Sequence, residues 1–336
     1  MSYYKIKECQ YKDKLSIMDT QLAIKLTKDT FERELAKNLA LTRVSAPLFV
    51  YPETGLNDNL SGTERPVTFD LKDTGKVAEV VHSLAKWKRM ALAKYCFTAD
   101  TGLYTDMNAI RRDEELDNLH SVYVDQWDWE KIMPKDQRNV EYLKDIVRKI
   151  VKALVDTKKK VSSEFPSLTL DIEEEVFFIT SEELLQKYPN LSSKERENAI
   201  CKEKKTVFII GIGDKLSNGE PHDMRAPDYD DWKLNGDLLV WYEPLDRAIE
   251  LSSMGIRVDS EAMIEQLTKG NKLERLEFPF HKGVVDGTIP LSIGGGLGQS
   301  RICMVVLEKV HIGEVQVSIW KEEDVKELKA MGINIL

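Results

Sequence analysis

Residues 120–130 read His-Ser-Val-Tyr-Val-Asp-Gln-Trp-Asp-Trp-Glu, a stretch in which aromatic and polar residues alternate. Such alternation is typical of a β-strand with two chemically different faces. Gln126, Asp128 and Glu130 share one face, and the two tryptophans between them share the other. Polar side chains are costly to bury unless they hold a ligand. The stretch therefore predicts a packed strand that carries a binding site, the alternative being a solvent-facing edge strand.

Helical and extended segments lie on both sides of this strand without regular alternation. Apolar residues at helical spacing predict helices over residues 20–39, 80–95, 139–162, 181–188 and 193–204. Extended apolar runs predict strands at 44–50, 176–180 and 207–212, and a hairpin from 238–242 and 248–253. Because strands and helices do not follow a β–α–β order, we expect an α+β fold with a mixed or antiparallel sheet and helices on its faces.

The composition is that of an acidic globular protein. The 336 residues are 42% hydrophobic and 31% charged, with a formal net charge of −9. No basic footprint extends beyond the lysines at 158–160, which argues against tRNA as the main partner. Neither a bilayer-length apolar run nor a signal-peptide stretch occurs, so we expect a cytoplasmic protein with no membrane partner. The cysteines at 9, 96, 201 and 303 are far apart, which predicts free thiols.

A glycine-rich run at 294–298 precedes a predicted buried helix, and we interpret it as a turn. Glycines let the backbone approach a ligand closely, and a helix N-terminus offers N–H groups to an anion. Arg301 would add a planar cation one turn into that helix. A tight turn before a core helix explains the glycines equally well. The run is neither a P-loop nor a dinucleotide fingerprint, since the required residues do not follow it.

Carboxylates are concentrated around the predicted hairpin. Asp230, Asp231, Asp237 and Glu250 could converge from its two arms to hold Mg²⁺, which prefers oxygen ligands and accompanies ATP phosphates. Taken alone, however, the acidic residues at 228–231 are more typical of a solvated loop.

A basic segment at 82–89 begins a predicted helix. Lys86, Lys88 and Arg89 could clamp a carboxylate or a phosphate, although such residues usually form a solvated helix face. His82 has no nearby partner that would indicate a nucleophile triad.

Together, these segments resemble the ammonia-dependent asparagine synthetases, the AMP-forming aspartate–ammonia ligases. The resemblance runs through nearly the whole chain and is carried by Asp58-Asn-Leu-Ser-Gly, His82-Ser-Leu-Ala-Lys-Trp-Lys-Arg, residues 120–130, Arg225-Ala-Pro-Asp-Tyr-Asp-Asp-Trp, Glu250-Leu-Ser-Ser-Met-Gly-Ile-Arg and Gly294-Gly-Gly-Leu-Gly-Gln-Ser-Arg. The family is similar to the catalytic domain of aspartyl-tRNA synthetase, a class II fold with a mainly antiparallel sheet flanked by helices. The resemblance implies one catalytic domain over 1–336, with segments like class II motifs 1, 2 and 3 at about 20–48, 107–130 and 292–307.

This resemblance implies a reaction in two steps. The side-chain carboxylate of aspartate attacks the α-phosphorus of Mg·ATP, giving a β-aspartyl adenylate and pyrophosphate. Ammonia then attacks the activated carbonyl group and releases AMP. The first step requires charge neutralisation around the phosphoryl group, which accounts for arginine and Mg²⁺ rather than a protein nucleophile. Relatives also imply a homodimer.

The resemblance implies a role for each candidate site residue. Arg111 would bridge the α-phosphate and the reacting carboxylate, Gln126 would orient the substrate side chain, and Asp58 would receive ammonium and help deprotonate it. The residues implied in aspartate recognition are Ser83, Lys88, Asp128, Asp230 and Arg257. The residues implied in ATP binding are Arg111, Asp237, Glu250, Ser253 and Arg301. Within that group, Asp237 and Glu250 are the expected Mg²⁺ ligands, and Arg301 would stack on adenine.

Motif 2 departs from the synthetase pattern in one respect. The synthetases carry Arg-x-Glu, which residues 112–114 fit, whereas the asparagine synthetases point to Arg111. We predict that Arg111 faces the nucleotide.

Three other functions fit parts of the sequence. A tRNA-charging enzyme shares the adenylation step, but the motif 1-like helix begins near residue 20 and leaves no room for an anticodon-binding domain. A glutamine-dependent synthetase would require an N-terminal cysteine nucleophile, and residue 2 is serine. A non-catalytic amino-acid-binding paralogue would not require the full set of adenylation residues.

Overall fold

The computed structural model describes residues 11–58, 60 and 64–336. The helices in this range are α1 (Ile17–Leu39), α2 (Ala85–Lys94), α3 (Val140–Glu164), α4 (Ser181–Lys187), α5 (Ser193–Lys204), α6 (Ser260–Lys269), α7 (Pro279–Val285), α8 (Gln299–Val306) and α9 (Glu322–Ala330). The strands are β1 (Leu41–Arg43), β2 (Phe49–Val50), β3 (Thr68–Leu71), β4 (Lys76–Val80), β5 (Gly102–Ile110), β6 (Tyr123–Ile132), β7 (Val176–Thr180), β8 (Thr206–Ile210), β9 (Asp230–Tyr242), β10 (Arg247–Arg257) and β11 (Ser292–Gly298). None of these helices has the length and apolar character that a membrane span requires.

An eight-stranded sheet organises the molecule, in the order β1-β5-β6-β11-β10-β9-β8-β7. Its neighbours are antiparallel except at the two edges, where β1 pairs with β5 and β7 with β8 in parallel. Strands β11 and β10 lie at the centre, and β10 forms a long hairpin with β9. A separate three-stranded sheet has the order β2-β4-β3. The predicted α+β fold with a mainly antiparallel sheet is confirmed.

The side chains of strand β6 alternate between the hydrophobic core and the opposite face of the sheet. Trp127 and Trp129 are fully buried, and the Trp127 ring lies 4.8 Å from the ring of Phe31 on α1. Helix α3 packs beside α1 through apolar residues at helical spacing, among them Leu143 and Val147. With the tryptophans committed to this core, the two-residue period turns Gln126, Asp128 and Glu130 to the opposite face.

The glycine run is a strand and not the predicted turn at 294–298, since these residues lie in β11 and the helix begins only at Gln299. The reason is the crowding by neighbouring strands. A Cβ atom on Gly294 would lie 2.0 Å from Glu130 Oε2, and one on Gly296 would lie 2.6 Å from Gln126 Oε1. Glycine in a strand often marks such a close approach.

Two predicted boundaries were also wrong. The strand expected at 44–50 is reduced to Phe49–Val50, since Pro47 lies in an irregular segment after β1. The helix expected from residue 80 begins at Ala85, because Val80 ends strand β4. The predicted hairpin is confirmed, with longer arms than its most apolar residues indicated.

We predict that Gly294→Ala lowers the free energy of unfolding by about 1–3 kcal/mol, because its new methyl group overlaps the Glu130 carboxylate. Gly298→Ala, in the same strand, is the matched control. Its Cβ would meet Arg301 atoms no closer than 3.4 Å, so we expect a change within about 0.5 kcal/mol. Denaturant unfolding of both variants measures the difference, and equal stability would contradict the crowding at β11.

Candidate active site

A cleft of about 540 Å³ lies over the polar face of β6, β11 and β10. Its walls come from the loop that precedes α2, the segment between β5 and β6, and the segment that precedes β9. All predicted site residues except Asp237 line it, namely Asp58, Ser83, Lys88, Arg111, Gln126, Asp128, Asp230, Glu250, Ser253, Arg257 and Arg301. Residues far apart in the sequence are therefore brought to one cavity.

The floor of the cleft combines the glycine strand with a buried ion pair. Lys88 Nζ, only 1% exposed, donates to Asp128 Oδ1 at 2.9 Å and to the Gly295 carbonyl oxygen at 2.9 Å. Burial lowers the pKa of Lys88, while the Asp128 carboxylate opposes this shift. The other carboxylate oxygen, Asp128 Oδ2, is buried without a hydrogen-bond partner among the described residues. Asp128 thus keeps an acceptor for a ligand.

A second buried cluster fixes Arg257. Its Nε donates to Glu130 Oε1 at 3.0 Å, its Nη2 donates to Glu130 Oε2 at 2.7 Å, and its Nη1 donates to Asp230 Oδ1. Ser292 Oγ also donates to Glu130 at 2.7 Å. Burial opposes ionisation of Glu130, but Arg257 outweighs it and holds the pKa of Glu130 below its usual value. These bonds leave one N–H on each terminal nitrogen of Arg257 for a carboxylate ligand.

Asp58 forms an acidic corner beside this floor. The side chain is 4% exposed, and its Oδ1 accepts a hydrogen bond from the Leu60 amide at 3.0 Å. The His82 ring donates from Nδ1 to the Asp58 carbonyl oxygen at 3.0 Å. No donor among the described residues completes a hydrogen bond to Asp58 Oδ2, although the Tyr229 hydroxyl lies close. The corner is therefore a buried carboxylate, one oxygen of which has no hydrogen-bond partner among the described residues.

Arginines also line the cleft. Arg111 Nη1 lies 3.8 Å from Glu114 Oε2, and the buried Arg111 Nε has no hydrogen-bond partner in the described part of the chain. Arg112 also lines the cleft but is exposed. Arg301 Nη1 donates to the Glu250 carbonyl oxygen at 3.0 Å. Burial raises and Arg301 lowers the pKa of the Glu250 carboxyl, with a net value below the usual one.

Asp237 lies beneath the cleft wall, where Arg225 covers it. Arg225 Nη2 donates to Asp237 Oδ2, whereas Asp237 Oδ1 is buried without a partner among the described residues. Burial raises the pKa of Asp237 to about 6, and the charge of Glu250 adds to the rise. The described residues contain no group of three or more side chains that could hold a metal ion. Two carboxylates that sense each other's charge, one of them with an unpaired oxygen, still fit Mg²⁺ when phosphate oxygens supply the other ligands.

Two alternatives based on solvation were wrong. Asp228, Asp230 and Asp231 are at most 4% exposed, so residues 228–231 are not a solvated acidic loop. Lys86, Lys88 and Arg89 are also buried, which excludes a solvated helix face. Arg89 instead donates to backbone carbonyl oxygens of Val258 and Pro290. Side-chain burial at these positions depends on elements distant in sequence.

The prediction of site residues missed several cleft residues. They are Arg225, His120 and Lys194, which line the cleft. Glu130, which holds Arg257, belongs to the strand face predicted to carry a site, but no individual role was predicted for it. Glu130 was placed on the correct strand face by the two-residue period, and this was the signal available. Lys194 lies on α5, in a segment where the sequence carries no comparable signal.

Solved structures of class II aminoacyl-tRNA synthetases share this fold. The asparaginyl-tRNA synthetase of Pyrococcus horikoshii complexed with asparaginyl-adenylate superimposes with a TM-score of 0.63 at 16% identity, over 89% of this chain and 68% of that chain. The aspartyl-tRNA synthetase of Entamoeba histolytica gives 0.62 at 13% identity, over 91% of this chain and 59% of that chain. At such identities the likeness confirms the predicted class II fold alone.

Other proteins are similar to this chain in sequence over nearly their whole length. The aspartate–ammonia ligase of Clostridium tetani is 60% identical over 328 residues, which cover 97% of this chain and 96% of that protein. The aspartate–ammonia ligase of Lactobacillus johnsonii is 56% identical over 97% of this chain and 98% of that protein. The model of the aspartate-ammonia ligase family matches residues 18–332. The resemblance seen in the sequence is therefore confirmed, and the chain belongs to the aspartate–ammonia ligase family.

Proposed function

We propose that this chain converts L-aspartate, ATP and free ammonia into L-asparagine, AMP and pyrophosphate through a β-aspartyl adenylate. Aspartate–ammonia ligation is the activity that names its family. The observation in this chain that carries the proposal is the cleft, which gathers cations for carboxylates and phosphates beside a buried carboxylate with an open oxygen. Residues 1–336 would act as one catalytic domain.

Aspartate would lie against β6 and β11. The free N–H groups of Arg257 suit a carboxylate in two-point contact, because Glu130 and Asp230 already fix the guanidinium plane. The unpaired Asp128 Oδ2 suits the substrate's amino group, and Lys88 balances its charge. The proposed recognition set is Ser83, Lys88, Asp128, Asp230 and Arg257.

Adenylation would take place beside Arg111. Arg111 would contact the α-phosphate and the attacking carboxylate together, which lowers their mutual repulsion as the bond forms. Gln126, which also lines the cleft, would orient that carboxylate. Arg301 would stack on adenine, with Ser253 near the nucleotide.

Asp237 and Glu250 are the residues that would hold Mg²⁺, together with phosphate oxygens of ATP. When bound, Mg²⁺ neutralises phosphate charge as pyrophosphate leaves. Arg225 donates a hydrogen bond to Asp237 and so would compete with Mg²⁺ for this carboxylate. Arg225 also lines the cleft where the phosphates would lie. We propose that Arg225 turns to the phosphates when Asp237 takes the metal.

Asp58 would bind ammonium after the adenylate has formed. Burial raises the pKa of Asp58 to about 6, so the carboxylate is charged at neutral pH and can accept hydrogen bonds from ammonium. Transfer of one proton from ammonium to the Asp58 carboxylate then leaves neutral ammonia, the nucleophile for the activated carbonyl group.

We further propose a cytoplasmic homodimer that uses no tRNA. The fold neighbours are longer proteins, of which this chain covers 59–68%, and they include tRNA synthetases. The charge of −9 does not favour a polyanionic partner.

The direct test is incubation of the purified chain with aspartate, Mg·ATP and ammonium. We expect asparagine and AMP in equal amounts, and no asparagine when ammonium is omitted or replaced by glutamine. Chromatography with mass detection measures all products. ADP in place of AMP, or product only after addition of tRNA, would contradict the proposal.

Two variants separate the half-reactions. Arg111→Ala should lower aspartate-dependent exchange of pyrophosphate into ATP by about 10²–10³-fold, since it removes charge stabilisation at the phosphorus. Asp58→Asn should retain this exchange, which needs no ammonia, and lose asparagine formation. Arg112→Ala, at the exposed neighbour, is the control and should have the smaller effect on exchange. A larger effect of Arg112→Ala would transfer the phosphate-contact role to that residue.

The Mg²⁺ assignment predicts that chelation with EDTA stops the reaction and that Glu250→Gln raises the Mg²⁺ concentration for half-maximal activity at least about tenfold. The matched control is Glu243→Gln, at the exposed turn of the same hairpin, where the glutamate pairs with Lys205. A Mg²⁺ titration of both variants is the measurement. The same Mg²⁺ dependence in Glu250→Gln and wild type would exclude Glu250 as a ligand.

A further inference from the structure

Lys194 lies in the first turn of α5 and lines the cleft, yet none of the roles in the proposed reaction falls to it. Its side chain is 58% exposed, and its Nζ donates to both carboxylate oxygens of Glu197 at 3.1 Å. Glu197 is buried, and its Oε1 accepts a hydrogen bond from His222 Nε2 at 3.1 Å. An ammonium group has three N–H donors, and its contacts in the described part of the chain engage two of them. The third can serve a ligand in the cleft.

The register of α5 on β10 determines where this ammonium group lies. Lys202 Nζ donates to Asp246 Oδ1 at 3.2 Å, just before the strand begins. One turn earlier in the helix, Asn198 Oδ1 accepts a hydrogen bond from the Ala248 amide at 2.8 Å. Four residues of helix advance about 6 Å and two residues of strand about 6.8 Å. The helix therefore runs antiparallel to the strand, with one helical turn for every two strand residues.

Continued by one turn, this register places Lys194 at the level of Glu250. The side chains of Ala248 and Glu250 lie on the same face of the sheet by the two-residue period. Helix α5 covers that face, because its Ile200 belongs to the same buried apolar cluster as Ala248. Lys194 and Glu250 also line the same cleft. Lys194 therefore lies at the side of the cleft where Glu250 would hold Mg²⁺ together with phosphate oxygens.

We infer that Lys194 is a further ATP-binding residue, whose ammonium group binds the β- and γ-phosphates and so stabilises the pyrophosphate that leaves the α-phosphorus. Arg111 would serve the α-phosphate, and a fixed cation at the leaving group lowers the barrier by offsetting the charge that develops there. The exposed position of Lys194 suits a group that must leave the cleft after adenylation. The inference rests on the proposed function and assigns a residue to the leaving group.

A surface ion pair within one helix is the alternative explanation of Lys194. Lys194 and Glu197 are three residues apart, a spacing at which such pairs are frequent and contribute little to stability. If Lys194 served this pair alone, its replacement would leave the affinity for every ligand unchanged. If Lys194 binds the β- and γ-phosphates, the affinity for pyrophosphate falls, whereas the affinity for AMP, which lacks these phosphates, does not.

The test is Lys194→Gln, which removes the positive charge at an exposed position. Isothermal titration calorimetry measures the binding of pyrophosphate and of AMP to the purified chain, each in the presence of Mg²⁺. Pyrophosphate should bind about tenfold more weakly than to wild type, because one charge-assisted hydrogen bond is lost. AMP should bind as it does to wild type, which also shows that the variant is folded.

Lys202→Gln is the matched control. Lys202 lies on the same helix, is 62% exposed and pairs with Asp246, but it lies outside the cleft. Its replacement should leave the affinity for both ligands at the wild-type value. Unchanged pyrophosphate affinity in Lys194→Gln, an equal loss of AMP affinity, or no pyrophosphate binding by wild type overturns the inference. Absence of asparagine formation by the wild-type chain, measured separately, overturns the proposed function itself.

Discussion

The active-site floor depends on the close approach of β6 to the glycine-rich strand β11. Glu130 and Gln126 extend over β11 at positions where any Cβ atom would overlap them. Because Gly294 leaves this room, Glu130 can reach Arg257 and orient its guanidinium group. The Gly295 carbonyl oxygen, also on this strand, receives Lys88. The glycines therefore determine where two buried cations lie.

Buried charges in the cleft are paired in a way that matches the proposed substrate. Aspartate carries two carboxylates and one ammonium group. In the proposed reaction Arg257 would bind one carboxylate, Arg111 would meet the other, and Asp128, balanced by Lys88, would bind the ammonium group. Each of these groups is already held by a partner of opposite charge, so little reorganisation is needed when a ligand enters. Buried ion pairs are weak contributors to stability. Their concentration at one cavity supports the proposed role in binding aspartate.

Much of this fold and site could be predicted from the sequence. The two-residue period of 120–130 placed Gln126, Asp128 and Glu130 on one face correctly, because Trp127 and Trp129 must be buried together. The resemblance to a known family supplied residues such as Asp58, which no periodicity distinguishes. Family membership and the class II fold were predicted from the same sequence segments, and both are confirmed.

Other features required the three-dimensional structure. Glycines at 294–298 fit a turn as well as a strand, and the side chains that crowd them lie far away in sequence. Burial of Lys86 and Asp228 depends on Arg275 and His281, which come from a distant helix region. The cover of Asp237 by Arg225 is likewise a tertiary contact. Local patterns cannot report such contacts.

The central claim is that the side-chain carboxylate of aspartate attacks the α-phosphorus of ATP. Aspartate labelled with oxygen-18 in that carboxylate tests it directly, with mass spectrometry of the products after turnover with ammonium. We expect AMP to gain one labelled oxygen and pyrophosphate to gain none. Unlabelled AMP, with the label in a phosphate or pyrophosphate product, would contradict the adenylate and place the attack at another phosphorus.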